Sequence, residues 1–272
     1  KVFCVAMLVL IGTKKIFAQH SFSFNNGPAM SKYQDTLIRL SQETISATDP
    51  ATKLSRNAAF IKTLVNALKT HTSYAFPFDS LKTINIVKSP DNLFRIFSWH
   101  IPVDDGYRFF GTIQMATKDG SLKMIPLIDG TDDFTDPNVI TDSKKWFGAQ
   151  YYEIVPVPNG KQPYYVLLGW KGNTVKTTKK VIEVLYFKNG KAHFGMPVFD
   201  GNKELAGHKR IIFEYSRQVS MMLNYLPKEG RIVFDHLAPP DPKMKEKYDM
   251  YGPDMSYDGF KLVNGRWRFM ED

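Results

Sequence analysis

The stretch Tyr164–Phe199 constrains what this chain can fold into more than any other part of it. Tyr164–Trp170 is apolar on both faces, which is typical of a central strand with protein packed above and below it. Val181–Phe187 and Ala192–Val198 are joined by Lys188-Asn189-Gly190, and Asn-Gly readily adopts the positive φ angles that a tight hairpin requires. Three strands in a row with short polar turns predict an antiparallel meander.

Similar runs continue on both sides of this stretch, from about residue 83 to the carboxyl end. The last two, Phe260–Val263 and Arg266–Met270, are predicted to form a hairpin around Asn264-Gly265. Strands do not alternate with helices, so residues 79–272 are predicted to form one mainly β domain. The antiparallel meander is expected to form a sandwich, an open barrel or a propeller-like sheet. No exact repeat period emerges, which favours a sandwich or an open barrel over a propeller.

Residues 20–78 are predicted to form a linker followed by a helical hairpin. Ser31 and Gln34 have the spacing of a capping box at the start of the first helix. Asp49 is the expected N-cap of the second helix, with Pro50 in the first turn, where its missing N–H costs nothing. The apolar stripe of the second helix consists of Leu54, Ile61, Leu64, Val65 and Leu68. A hairpin of this size cannot bury that stripe alone, so we expect it to dock on the β domain.

The amino-terminal residues 1–19 have the pattern of a secretory signal peptide. Val2–Gly12 is a short apolar run preceded by Lys1, and Ala18 before Gln19 offers a small residue at a cleavage point. This run is too short to span a bilayer comfortably. We therefore expect export to the periplasm or cell surface, with no membrane span once the signal is removed. A retained amino-terminal anchor and a buried strand are the alternatives for this segment.

Cysteine content and charge exclude several classes of function. The chain has one cysteine, Cys4, which lies within the expected signal, so the mature chain would have no thiol. Thiolate nucleophiles, redox pairs and cysteine-based zinc sites are then excluded. The net charge is +9, with 36 basic and 27 acidic residues, but the basic residues are spread too evenly to indicate nucleic-acid binding.

A histidine and several carboxylates near the carboxyl end form the best candidate for a catalytic site. Asp235 and His236 end a predicted strand, and Asp254 and Asp258 follow beyond the segment Ala238–Ser256, which is predicted to be irregular. Such a set could bind a divalent cation or act as an acid/base pair in a hydrolase. Adjacent residues on a strand point to opposite faces, however, so Asp235 and His236 cannot easily act together. The structural alternative is that these side chains bond to nearby backbone groups in turns.

An acidic loop offers the only candidate metal ligands outside that region. It contributes carboxylates from Asp129, Asp132, Asp133 and Asp136, which supply enough oxygen atoms for Ca²⁺. The spacing does not match an EF-hand loop, whose glycine and terminal glutamate are missing. We interpret the segment first as a solvated, turn-forming loop, and no cofactor is expected.

Large aromatic residues near strand ends are candidates for binding. Exposed rings of this kind can stack on sugar rings or fill a pocket in a protein partner. The candidates are Trp99, Trp170, Tyr257 and Trp267. With 13 Tyr and 20 Phe in the chain, most aromatic side chains must belong to the core, which is the alternative for each of these four.

Several of the stretches quoted above also carry a family resemblance. The motifs YYVLLGW, FGMPVF and IVFDHLAPPDP, and the closing YGPDMSYDGFKLVNGRWRFMED, resemble a family of exported proteins of Bacteroidota-type bacteria that has no assigned activity. The resemblance spans roughly residues 94–272 and is most specific over Arg231–Asp272. It implies export and a β-rich body, and it provides no catalytic residues to carry over.

The sequence supports two hypotheses for function. It contains no Gly-x-Ser-x-Gly, His-Glu-x-x-His, phosphate-loop or dinucleotide motif. The first hypothesis is therefore an exported, non-enzymatic β-rich protein that binds an envelope polymer or a protein partner. The second is a hydrolase or metal-dependent enzyme with its carboxylate and histidine site in the 235–258 region.

Overall fold

The structure is a computed structural model that describes residues 27–104, 106–134, 136–159, 162–201 and 205–271. The expected signal peptide, residues 1–19, lies outside the described residues. The helices are α1 (Gly27–Ser46) and α2 (Pro50–Lys69). The strands are β1 (Asn85–Lys88), β2 (Phe94–Val103), β3 (Gly106–Met115), β4 (Lys123–Ile128), β5 (Thr141–Asp142), β6 (Gln150–Val157), β7 (Tyr164–Gly172), β8 (Thr177–Lys188), β9 (Lys191–Phe194), β10 (Phe199–Asp200), β11 (Ile211–Ser216), β12 (Leu223–Leu226), β13 (Arg231–Ala238), β14 (Gly252–Val263) and β15 (Arg266–Glu271).

The two helices form the predicted amino-terminal hairpin. Asp49 caps α2 by accepting a hydrogen bond from the Thr52 backbone N–H at 2.8 Å, with Pro50 in the first turn, as predicted. Helix α1 begins at Gly27, before the predicted capping box at Ser31, because Pro28 suits a first helical turn. Leu64 and Leu68 of the predicted apolar stripe of α2 are buried, whereas Leu54 is 41% exposed. Phe60, which the predicted stripe did not include, is also buried. Across the described ranges, no helix has the length and apolarity of a membrane span.

The first sheet has the order β1-β2-β3-β4, and its strands are antiparallel. One face packs on the helices through Phe97 and Trp99, and the other packs on the second sheet through Phe94 and Ile96. The same division places two adjacent aromatic residues of β3 on opposite faces. Phe109 points to the second sheet, whereas Phe110 packs on the helix side.

The second sheet contains the organising stretch and has the order β5-β9-β8-β7-β6, with β11 paired to β8. Its predicted hairpin is confirmed, with φ values of 52° at Asn189 and 74° at Gly190. The predicted strand Ala192–Val198 ends early, at Phe194, because Gly195 adopts a φ of 95° that breaks the ladder. Strand β7 is buried on both faces, as its continuous apolar sequence predicted.

The third sheet has the order β10-β15-β14-β13-β12 and covers the remaining face of the second. The prediction of an irregular segment from Ala238 to Ser256 is wrong at its end. Strand β14 begins at Gly252, because Gly252 and Pro253 pair with Ala238 and Leu237 of β13. A register shift between Asp235 and Leu237 interrupts this pairing at His236.

The layers therefore follow one another as helices, first sheet, second sheet and third sheet, with an apolar core between each adjacent pair. This architecture confirms a mainly β fold with an amino-terminal helical hairpin docked on it. Within the described residues the three sheets keep free edges, and none closes into a barrel.

A fully buried ion pair lies beside the second sheet. Arg210 Nε is 3.0 Å from Glu183 Oε1 and 3.1 Å from Oε2, and both side chains are 0% exposed. Arg210 Nη1 also donates to the carbonyl oxygens of Pro137 and Val139, at 2.9 Å for Val139. Burial raises the pKa of Glu183, and the Arg210 charge opposes that rise. The guanidinium thus joins the loop before β5 to the second sheet.

We expect Arg210→Met to destabilise the protein by about 3–5 kcal/mol, because it leaves the Glu183 carboxylate buried without a counter-charge. The double variant Glu183→Leu/Arg210→Met should recover much of that loss, because no unpaired charge remains. Chemical denaturation of the two variants and the wild type measures both effects. Both variants lose the same bonds to the loop carbonyls, so equal stabilities would contradict this account of the Glu183 charge.

Candidate functional site

A cleft of about 320 Å³ opens where β7 and β11 end and β8 begins, and we call it the Trp170 cleft. Trp170 lies near the end of β7, half-buried, and pairs across the sheet with Gln150 on one side and Lys180 on the other. The walls include Trp170, Thr178, Lys180, Arg217, Ser220 and Met221. All of these residues belong to strands of the second sheet or to the turn that follows β11.

The indole of Trp170 is held from the side by two rings of the first sheet. The His100 ring centroid is 4.9 Å from it, and the Tyr107 ring stands at 87° to it at 5.7 Å. Tyr107 in turn lies against Gly172, where a Cβ atom would be only 2.5 Å from the tyrosine ring. The absence of a side chain at position 172 therefore allows this arrangement.

His100 is fixed by a hydrogen bond between its Nδ1 and Gln150 Oε1 at 2.9 Å. An amide oxygen can only accept, so Nδ1 carries the hydrogen. Burial lowers the pKa of His100, while the bond to Gln150 opposes that change. His100 thus supports Trp170 as an uncharged ring near neutral pH.

The cleft has a basic character that comes from Lys180 and Arg217. Lys180 Nζ lies 4.5 Å above the Tyr152 ring, and burial lowers the pKa of this lysine. Arg217 is exposed, and its Cζ lies 5.8 Å above the Tyr107 ring. Among the described residues neither side chain forms an ion pair, and no acidic residue lines the cleft.

The four predicted binding aromatics are placed very differently. Trp170 lines the cleft, and Tyr257 is 43% exposed on the outer side of the third sheet. Trp99 is buried between the first sheet and α2, where its Nε1 donates to Asn57 Oδ1 at 2.8 Å. Trp267 is fully buried in the core between the second and third sheets. Burial removes Trp99 and Trp267 from the rings that a ligand could reach.

The predicted catalytic residues are only partly brought together. His236 Nδ1 lies 2.8 Å from Asp254 Oδ2, and the register shift in β13 places this pair on the surface. Asp235 turns away, as expected for its neighbour on a strand, and its Oδ2 accepts from the Met222 N–H at 2.7 Å. Ser256 Oγ donates to Asp254 Oδ1 at 2.7 Å, and this bond and His236 lower the pKa of Asp254 to about 2.

Asp258 lies beside this pair, at a cavity of about 270 Å³ that Tyr257 and Glu271 also line. Burial raises the pKa of Asp258, and the nearby His236 opposes that rise. Ser256 bonds to the carboxylate of Asp254 and not to His236, so no hydroxyl is activated by the imidazole. The cluster offers two carboxyl groups with opposite pKa shifts, and no linked nucleophile and base.

The acidic loop uses its carboxylates for local hydrogen bonds. Asp129 accepts from the backbone N–H groups of Thr131 and Phe109, at 3.0 and 2.8 Å. Asp136 accepts from the Asn138 N–H at 2.7 Å, and Asp132 and Asp133 lie in a short 3₁₀ turn. Within the described ranges no three side chains are grouped as metal ligands would be. The geometry matches a turn-forming loop.

Sequence reasoning overlooked Lys171, on the opposite face of β7 from Trp170. Its Nζ donates to Thr131 Oγ1, Phe147 O and Gly148 O at 2.7, 2.5 and 2.8 Å. The side chain is 2% exposed, and burial lowers its pKa to about 7, opposed by the Asp129 charge. A lysine within the otherwise apolar β7 was the available signal. Its three acceptors show that it holds the acidic loop against the second sheet.

Comparison of the chain with protein-family models, with curated proteins and with solved structures gave no match. The functional interpretation therefore depends on the geometry of the sites. Of these, the Trp170 cleft combines an accessible aromatic ring, unpaired cations and a volume suited to a ligand.

The stability of the protein should depend on Lys171 in a defined pH range. Its pKa is about 7 when folded and 10.5 for an ordinary lysine, so between these values the unfolded chain binds one more proton. Stability should therefore rise with pH across this range, by up to about 1.4 kcal/mol per pH unit more than in Lys171→Met. Below pH 7 both states are protonated and the dependence should vanish.

Denaturation of the wild type and Lys171→Met from about pH 6 to 10 measures this difference. Lys176 is exposed, so Lys176→Met is the matched control and should follow the wild-type profile. Parallel profiles for the wild type and Lys171→Met would show that the Lys171 ammonium keeps its proton throughout.

Proposed function

We propose that this protein is an exported, non-enzymatic binding protein and that its Trp170 cleft binds a saccharide unit of an envelope polymer. The observation that carries this proposal is the placement of Trp170 between its two supporting rings and an open cleft. A ring held in this way loses little conformational freedom when a ligand binds, which favours affinity.

The walls of the cleft suit a sugar. The indole offers a flat apolar surface on which the C–H face of a pyranose can stack. Thr178 and Ser220 contribute hydroxyl groups, and Lys180 and Arg217 contribute hydrogen-bond donors. A few placed polar groups beside an aromatic surface can fix the orientation of a ligand.

Binding without catalysis is supported by what the cleft contains. No acidic residue is among its described lining residues, and its histidine neighbour, His100, is bonded to an amide. General acid–base catalysis most often uses a histidine or a carboxyl group within reach of the reacting atoms. Lys180 and Arg217 supply charge rather than a nucleophile linked to a base.

We expect Trp170→Ala to weaken binding to isolated envelope polysaccharide by about tenfold or more, because the stacking surface is lost. Isothermal titration with purified polymer measures the effect. Tyr257→Ala is the matched control, since it removes an exposed ring on another sheet, and it should bind as the wild type does. Equal loss in both variants, or polymer binding by neither the wild type nor the control, would contradict the proposal.

A second candidate function is hydrolysis at the His236 site. One observation favours it: the pKa of Asp254 is lowered to about 2 while burial raises that of Asp258. Two carboxyl groups whose pKa values are driven apart can divide the roles of base and acid. In this hypothesis Asp258 donates a proton to the leaving group and Asp254 holds His236 in position.

For this second function, Asp258→Asn should reduce hydrolysis of a susceptible glycan or ester at least about 100-fold. Asp241→Asn serves as the control, because Asp241 caps the short turn Pro242–Met244. Release of reducing ends or acid from a substrate panel provides the measurement. Hydrolysis that survives Asp258→Asn, or a wild type without activity across the panel, would eliminate this candidate.

A further inference from the structure

The two cations of the Trp170 cleft lack the ion pairs that two nearby basic residues form. Lys179, adjacent to Lys180 but on the other face of β8, lies 3.1 Å from Glu214 Oε2. Arg210, just before β11, is paired with Glu183. Within the described part of the chain, Lys180 and Arg217 have no such partner.

The unpaired state of Lys180 has an energetic consequence. Its ammonium is half-buried in the sheet surface, above the Tyr152 ring and 3.4 Å from the Tyr152 hydroxyl. Partial burial of a charge without a counter-charge is unfavourable. An anionic group entering the cleft would offset that cost, whereas a neutral ligand would not.

The strand register sets the positions of the two cations. Lys180 pairs with Trp170 on β7 and with Phe213 on β11. The Arg217 backbone N–H bonds to the Lys176 carbonyl, four residues from Lys180 along the chain. Four residues of a strand span about 13 Å, so the two side chains start from opposite ends of the cleft. A ligand of two or more sugar units has the length to contact both.

We infer that the Trp170 cleft selects an extended acidic saccharide, with one sugar ring on Trp170 and anionic groups at Lys180 and Arg217. The shared chemistry is an anionic oxygen on a glycan, carried by a carboxylate or a phosphate. This inference rests on the proposed saccharide binding and adds the class of saccharide. Arg217 is exposed and Lys180 lies outside the apolar cores, so replacing them leaves those cores intact.

The experiment compares polygalacturonate with its fully methyl-esterified form, which has the same sugar backbone without the charge. We expect the acid to bind about tenfold or more tightly at low salt. A polymer of glycerol phosphate bearing sugar substituents is tested in parallel as the phosphate-containing ligand. Tighter binding of either acidic polymer than of the ester supports the inference and identifies its source of charge.

Variants of the two cations test whether the anionic groups of the polymer bind in the Trp170 cleft. Lys180→Gln and Arg217→Gln should each weaken binding of the acidic polymer and reduce the slope of log affinity against log salt by about one. Lys176→Gln, on the exposed turn before β8, is the matched control and should leave both unchanged.

These measurements distinguish a failure of the anionic selection from a failure of the proposed saccharide binding. Equal binding of acid and ester, with Trp170→Ala weakening both, would overturn the anionic selection and leave saccharide binding in place. Tight binding of the acid with unchanged salt slopes in Lys180→Gln and Arg217→Gln would place the anion elsewhere and overturn the inference. No binding of any polymer by the wild type would overturn both proposals.

Discussion

Burial of the second sheet on both faces is the constraint from which the rest of this structure follows. Strand β7 and most of β8 are shielded from water above and below, so other layers must cover both sides of the sheet. The first sheet covers one face and the third sheet covers the other. The helical hairpin then covers the outer face of the first sheet. The layered order is thus a consequence of apolar area that a single partner sheet could not remove from water.

The buried charged side chains mainly hold a connecting segment against the second sheet. Lys171 and Arg210 each reach from the second sheet to backbone carbonyls in residues 137–148, and Glu183 balances the guanidinium. Charged groups in such positions contribute little net stability, yet removing one partner is costly. Lys171 and Arg210 thus hold residues 137–148 in one position over the second sheet. On the face of the second sheet opposite Lys171, Lys180 and Arg217 line the Trp170 cleft and form no ion pair within the described residues.

Local signals in the sequence predicted local structure well. Asn189-Gly190 and the Asp49 cap depend on neighbouring residues only, and both formed as predicted. The start of β14 was missed because Gly252-Pro253 has the composition of a loop, whereas its pairing with β13 is a distant contact. The burial of Trp267 and the accessibility of Trp170 could not be predicted from the sequence either, since both depend on which layer covers a strand end. Lys171 was overlooked because its acceptors come from a separate loop.

The close contact between Gly172 and Tyr107 has a consequence for how this surface could diversify. A methyl group at position 172 would push the tyrosine ring aside, and the indole that leans on it would tilt in turn. A single added carbon atom at position 172 would thus change the width of the Trp170 cleft, although none of the side chains that line the cleft is replaced. The shape of the cleft therefore depends on a position that does not line it, and related chains could differ in cleft shape through that position alone.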